Sequence, residues 1–241
     1  MTTLVKICGI SDPAHALVAA EAGADLIGLV FYPPSHRNLS VERAGEIVRA
    51  LRAAGHRTLA VGLFVNEDPA RIGAVADEVG LDLIQLSGDE QPTDLARLNR
   101  PVLRSVRLGA AESVVRVRER LTAATVMLQA REAGLLGQPL TPLVDAHVPG
   151  QWGGTGTMAD WEAAATLSRL WPLLLAGGLT PENVAAAIAA VRPLGVDVSS
   201  GVETDKVKDP AKIRAFIQAA RAADANPGNQ TDFRDSLSGG A

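Results

Sequence analysis

The sequence predicts an α/β protein built as a single TIM-type (β/α)8 barrel, on three observations. Short apolar runs alternate with longer, Ala-rich, charge-dotted runs, eight of each. The short runs are continuously apolar, as strands buried on both faces of a parallel sheet must be. The first ~220 residues then divide into units of roughly 28 residues, on the compact side of the ~250 typical of this fold. A doubly wound open sheet is the alternative, but its dinucleotide form needs G-x-G-x-x-G after the first strand. Cys8-Gly9-Ile10-Ser11 stands there instead.

The first strand is expected at Leu4–Cys8, and Asp12-Pro13 then supplies an N-cap and a first-turn proline. Gly23 ends that helix, and Gly55 and Gly80 end the next two, as C-terminal stops. The second strand is expected at Asp25–Phe31, with a helix opened by Ser40–Arg43; the third at Thr58–Phe64, with a helix opened by Glu67-Asp68-Pro69. Strands four and five are read at Leu81–Leu86 and Val102–Val106. Thr125–Thr141 departs from the repeat and reads as an insertion or an extended helix with a Gly-Gln-Pro turn. Strand six follows at Leu143–Asp145, and strand seven at Leu173–Ala176 with the cap signal Thr180-Pro181-Glu182. Strand eight follows at Gly195–Ser199, with the cap signal Asp209-Pro210. Residues 1–222 are therefore expected to form the barrel. Residues 223–241, rich in Asn, Asp, Ser and Gly, are expected to form a disordered tail with no catalytic role.

Composition narrows the function. Of 241 residues, 47% are hydrophobic and only 3% aromatic, so the core must be aliphatic. A net charge of −4 excludes a basic nucleic-acid platform. No apolar run approaches the ~20 residues of a membrane-spanning helix. Met-Thr-Thr-Leu-Val-Lys is no signal peptide, so a cytoplasmic protein is expected. A single cysteine permits neither an internal disulfide nor a multi-thiolate metal site. The four histidines lack metal-ligand spacing; His15 and His56 are read as surface residues, His36 and His147 as residues of active-face loops.

In a barrel of this kind the chemistry lies at the C-terminal ends of the strands. Gly177-Gly178 and Ser199-Ser200-Gly201 follow strands seven and eight, where backbone amides can cradle a phosphate. Cys8 ends strand one, either as a small buried hydrophobe or as a thiolate base. Lys6 shares its strand face, and either tunes that thiol or pairs with a carboxylate on a neighbouring strand. Asp145 ends strand six, either as a cap or as an acid. Arg37 follows two prolines over the mouth and either holds a substrate carboxylate or is solvated. Strand four carries Gln85, and Gly153-Gly154-Thr155-Gly156 follows strand six; lacking Gly-Lys-Ser/Thr, it is no P-loop.

Several segments together carry a resemblance to a known family. They are Val5–Ile10, Phe31–Ser35 with Arg37, Gln85-Leu86 with Gly88-Asp89-Glu90, Gly153–Gly156, Ala176–Leu179 and Gly195–Glu203. From strand one to Lys208-Asp209 the chain resembles phosphoribosylanthranilate isomerase of tryptophan biosynthesis. The resemblance implies an Amadori rearrangement of N-(5-phosphoribosyl)anthranilate. It gives Asp145 the general-acid role at the furanose oxygen, Cys8 the base role at the C2 proton, and Arg37 the anthranilate carboxylate. It implies a small-molecule substrate, no metal or redox cofactor, and a monomer or homodimer. Departures from the family pattern stand at Ser87, where histidine is usual, and at His36, where proline is usual. Thr157-Met158 follow the Gly-rich loop in place of lysine, and Asp205-Lys206 replace Pro-Gly. Other phosphosugar isomerase barrels, or a non-catalytic phosphometabolite-binding barrel, are the alternatives; Cys8 argues against the isomerase that uses two aspartates, and Cys8 with Asp145 against the non-catalytic barrel.

Overall fold

The computed structural model describes residues 2–107, 114–128, 135, 139–145 and 161–225. Eight parallel strands close into a barrel in the order β1 to β8. They are β1 (Leu4–Cys8), β2 (Leu26–Val30), β3 (Leu59–Phe64), β4 (Leu83–Leu86), β5 (Val102–Arg107), β6 (Leu140–Asp145), β7 (Leu174–Ala176) and β8 (Gly195–Val198). Closure is made by β1 against β8, with Leu4 opposite Gly195 and Lys6 opposite Asp197. Gly195 is required here, because a Cβ would stand 2.7 Å from the Leu4 carbonyl oxygen.

Helices α1 (Pro13–Glu21), α2 (Val41–Ala53), α3 (Pro69–Val79), α4 (Pro92–Leu95), α5 (Val114–Leu128), α6 (Trp161–Ser168), α7 (Val184–Val191) and α8 (Pro210–Asp224) complete the alternation. The expected caps form where a side chain can reach the orphan amides of the first turn. Asp12 accepts from Ala14 N at 2.8 Å, Asp68 from Ala70 N at 2.7 Å, and Asp209 from Ala211 N at 2.9 Å. Thr180-Pro181-Glu182 makes the same bond, Glu182 N donating to Thr180 Oγ1 at 3.3 Å, but does not start a helix. It forms a turn in which Asn183 Oδ1 accepts from Thr180 N at 2.8 Å, and α7 begins only at Val184.

Most strand ends lie within one or two residues of the sequence expectation, and the larger differences fall at β6 and the segment before it. Thr125 belongs to α5, which runs to Leu128, and β6 starts at Leu140 rather than Leu143. The remainder of the expected insertion, apart from Leu135 and Pro139, lies outside the described residues. Helix α8 continues to Asp224, past the expected boundary at 222, because its last turn is tied to the start of β1. Asp224 Oδ2 accepts from Thr3 N at 3.0 Å, and Arg221 Nη2 donates to Asp25 Oδ2 at 2.8 Å. The rest of the expected tail, 226–241, lies outside the described residues.

The core has two parts. Aliphatic side chains fill the layer between strands and helices, and a second cluster fills the barrel itself. Leu26, Val61, Leu83, Leu103, Leu143 and Leu174 make the inner cluster, with Leu4 packed against it. Side chains alternate along a strand, so two residues further on the same face looks into the barrel nearer its mouth. That rule carries Lys6 and then Cys8 inward on β1, Gln85 on β4, Ser105 on β5 and Asp145 on β6. The barrel is therefore apolar below and polar toward the C-terminal ends.

One element was absent from the sequence reading. After a 3-10 turn at Ser200–Val202, a hairpin of β9 (Glu203–Thr204) and β10 (Val207–Lys208) precedes α8. Its two-residue turn has Asp205 at φ 50° and Lys206 at φ 65°. Tight hairpins need positive φ at both turn positions to match strand twist, which is why Asn-Gly is favoured there. Two side-chain-bearing residues in the left-handed region store strain on an exposed loop. Lys206→Gly is expected to raise unfolding free energy by about 0.5–1 kcal/mol. Urea unfolding checks this, and a lowered midpoint would reject the strain.

Candidate active site

Cys8 is 5% exposed, at the last position of β1. Beside it on β2 stands Gly28, whose missing side chain leaves a pocket. A Cβ there would lie 2.7 Å from Cys8 Sγ and 3.2 Å from Lys6 Nζ, so the thiol and the ammonium meet over this glycine. Lys6 is wholly buried and donates to Asp197 Oδ1 at 2.8 Å across the β1–β8 seam. Both sequence readings of Lys6 thus hold together: it pairs with a neighbouring strand's carboxylate and it faces the thiol. Burial disfavours its charge, but the Asp197 carboxylate and the Cys8 sulfur outweigh that and hold Lys6 above the ordinary lysine value.

Arg37 is neither solvated nor wholly free. Its Nε donates to Glu203 Oε1 at 2.7 Å and its Nη2 to Glu203 Oε2 at 2.8 Å, a bidentate pair. The guanidinium stem lies over Gly9, which has φ 77°, and a Cβ at Gly9 would collide with Arg37 Cδ. The arginine is thereby packed against the residue that follows Cys8. Glu203 also accepts from Lys208 Nζ at 2.6 Å, and Lys208 donates to the Ser199 carbonyl at 2.8 Å. Ser199 Oγ in turn donates to the Cys8 carbonyl at 3.2 Å. Burial alone would raise the Glu203 pKa, but hydrogen bonds from Arg37 and Lys208 win and lower it to about 2. Its contribution to stability is present above its ordinary value of 4.5 and is lost as pH falls toward about 2. Burial pushes Lys208 below the usual lysine value despite that partner.

On the far side of the mouth, Gln85 is buried on β4. Its Nε2 donates to Ser87 Oγ at 3.2 Å and to Ser105 Oγ at 3.3 Å, and the two hydroxyls lie 2.8 Å apart. Gln85 Oε1 is buried without a hydrogen-bond partner among the described residues. A buried amide oxygen left open is costly unless a ligand or water completes it. Next to it, Glu90 accepts from the amides of Asn66 at 2.9 Å and Gly88 at 3.0 Å and pairs with Arg104, which ties the loops after β3 and β4 together. Asp145 ends β6, half-buried, in register with Arg107 and Ala176.

Gly177 (φ 90°) and Gly178 (φ 64°) occupy the left-handed region open chiefly to glycine. A Cβ at Gly201 would collide with the Leu179 carbonyl oxygen, so the loops after β7 and β8 touch. Ser199, Ser200 and Gly201 lead into and form the 3-10 turn beside them. The Gly153–Gly156 loop, Thr157-Met158 and His147 lie outside the described residues. His36 Nε2 is 4.0 Å from Glu203 Oε2. His15 and His56, expected at the surface, are half-buried. Among the described residues no three His, Cys, Asp or Glu side chains form a metal-binding group, and no helix is long and apolar enough to cross a membrane.

Sequence reasoning missed two contributors, Asp197 and the Glu203–Lys208 pair. The second left a trace in the sequence: opposite charges stand symmetrically about a four-residue hairpin tip, a pattern that predicts a cross-strand ion pair.

The family model for N-(5'-phosphoribosyl)anthranilate isomerase matches residues 5–219. The chain belongs to the phosphoribosylanthranilate isomerase family. The Roseiflexus castenholzii N-(5'-phosphoribosyl)anthranilate isomerase is 50% identical over 228 residues, covering 91% of this chain and 99% of the relative. That of Geotalea uraniireducens is 44% identical over 220 residues, covering 91% and 98%. The crystal structure of the Thermotoga maritima phosphoribosyl anthranilate isomerase aligns with TM-score 0.76 at 35% identity, covering 92% of this chain and all of the other. A phosphoribosyl anthranilate isomerase in complex with reduced 1-(o-carboxyphenylamino)-1-deoxyribulose 5-phosphate aligns with TM-score 0.72 at 33% identity, covering 92% and 100%. As a phosphoribosylanthranilate isomerase family member, the chain brings Cys8, Arg37 and Ser199 into one connected group.

Proposed function

We propose that this chain converts N-(5-phosphoribosyl)anthranilate into 1-(2-carboxyphenylamino)-1-deoxyribulose 5-phosphate, an aldose–ketose isomerisation of tryptophan biosynthesis. The observation that carries the reading is a thiol and a carboxyl group at the mouth ends of inward-facing strands, β1 and β6, with a guanidinium seated beside the thiol. Asp145 gives its proton to the furanose oxygen as the C1–O bond breaks, and the ring opens to a protonated Schiff base. The Cys8 thiolate takes the C2 proton, and the C–H electrons move into the C1–C2 bond while the imine electrons return to nitrogen. The resulting enolamine tautomerises: C1 gains a proton, the C2 hydroxyl loses one, and the ketone forms. An acid and a base must hold opposite protonation states at one pH, which different surroundings at two strand ends supply.

Arg37 receives the anthranilate carboxylate. Gly177, Gly178, Ser199, Ser200 and Gly201 receive the phosphate, and Gln85 offers its open Oε1 to a substrate hydroxyl. The reaction asks for no metal or redox cofactor. We place it in the cytoplasm, as a monomer or homodimer acting on this small molecule.

The test is an assay with freshly generated phosphoribosylanthranilate, followed by its anthranilate fluorescence. Consumption proportional to enzyme is expected, and none above the uncatalysed rate would reject the reading. Arg37→Ala is expected to raise KM roughly 10- to 100-fold, the loss of one charged hydrogen-bonding pair, with a smaller change in kcat. Unchanged KM and kcat would remove Arg37 from the site.

A further inference from the structure

Resting on that reading of Arg37, we propose that Glu203, backed by Lys208, is a positioning residue that holds Arg37 by one edge of its guanidinium and presents the other edge to the substrate carboxylate. A free arginine side chain has several rotatable bonds, and ordering it on binding costs affinity. Here that ordering is already done. The Nε/Nη2 edge is taken by the two Glu203 oxygens at 2.7 and 2.8 Å, and the stem is wedged against Gly9. Among the described residues Nη1 takes no partner, so a carboxylate has the Nη1/Nη2 edge open to it.

The holder is itself held. Lys208 stands opposite Glu203 in the β9–β10 ladder, and its Nζ bonds Glu203 Oε1 at 2.6 Å and the Ser199 carbonyl at 2.8 Å. Glu203 and Lys208 side chains are 7% and 1% exposed, so the pair is shielded from competing water. One carboxylate between two cations leaves a net positive charge, which suits an anionic substrate group. The hairpin therefore couples the arginine over β1 to the loop that follows β8.

The alternative is that Glu203 is only a counter-charge that competes with the substrate for Arg37. Binding of the reduced carboxyphenylaminodeoxyribulose phosphate separates the two without relying on turnover. Under the proposal, Glu203→Ala weakens its binding and raises KM roughly 10- to 100-fold, as loss of positioning does, with kcat nearly kept. In an Arg37→Ala background the same change has no further effect, because Glu203 acts through Arg37. Tighter or unchanged binding in Glu203→Ala, or equal losses in both backgrounds, would overturn the proposal. Should Glu203→Ala fail to fold, Glu203→Asp carries the test, since it keeps the charge facing Lys208 and shortens only the reach to Arg37. An inactive wild-type protein that still binds the analogue would fail the isomerase reading while leaving this test intact.

Discussion

Cys8→Ala and Asp145→Asn are each expected to lower kcat by on the order of 10²- to 10⁴-fold, the span of general acid–base catalysis, while folding and analogue binding persist. The substitutions are small in volume. Cys8 is buried beside Gly28, so Ala removes one sulfur from a cavity that the backbone already frames. Asp145→Asn keeps shape and hydrogen-bonding reach and removes only the ionisable proton. Loss of kcat with retained analogue affinity assigns both residues to proton transfer. Near-wild-type kcat in either variant would sink its role. The two variants are also expected to differ in where they stop: Cys8→Ala still opens the ring and accumulates the Schiff base, Asp145→Asn holds the substrate closed, and solvent deuterium enters C2 in neither. The single thiol makes the first variant self-checking, because an alkylating probe that labels the wild type has no target left in Cys8→Ala.

The barrel was legible because its strands are continuously apolar and its helices carry caps with a definite mechanism. Asp12, Asp68 and Asp209 each did what a short acceptor before proline does. Thr180 Oγ1 makes the same bond, accepting from Glu182 N at 3.3 Å, but Asn183 takes the Thr180 amide and the helix starts only at Val184. The inward-facing positions at strand ends were legible for a similar reason: the period-two rule fixes which side chains face into the barrel. Partnerships between distant segments were not. Nothing local to Arg37 announces Glu203, which stands 166 residues away, and nothing local to Lys6 singles out Asp197, 191 residues away. Such pairs follow from barrel closure, which sets β8 beside β1, and closure is a property of the whole chain. The hairpin at Asp205-Lys206 escaped because its residues are poor hairpin formers; tertiary anchoring of Glu203 and Lys208 overrides the local preference.

The Lys6–Asp197 pair allows a second large effect to be separated into its causes. Lys6→Met leaves Asp197 buried without its cation, and breaking a buried pair in this way is expected to cost about 3–5 kcal/mol. Replacing both partners, Lys6→Met with Asp197→Leu, removes the uncompensated charge and is expected to recover most of that loss. Urea unfolding of the three proteins measures the difference. A single variant as stable as the wild type would show that the pair contributes nothing to the fold. The sign of the pH dependence is fixed by the raised Lys6 value: its contribution is complete below the unfolded value of 10.5 and is lost as pH rises through the higher folded value. The same ammonium faces Cys8 over Gly28. In the stable double variant it is gone while Cys8, Arg37 and Lys208 remain, so kcat/KM is expected to fall with the fold kept. An unchanged kcat/KM would confine Lys6 to holding β1 against β8; a lowered one gives the seam that closes the barrel a second part, in the reaction.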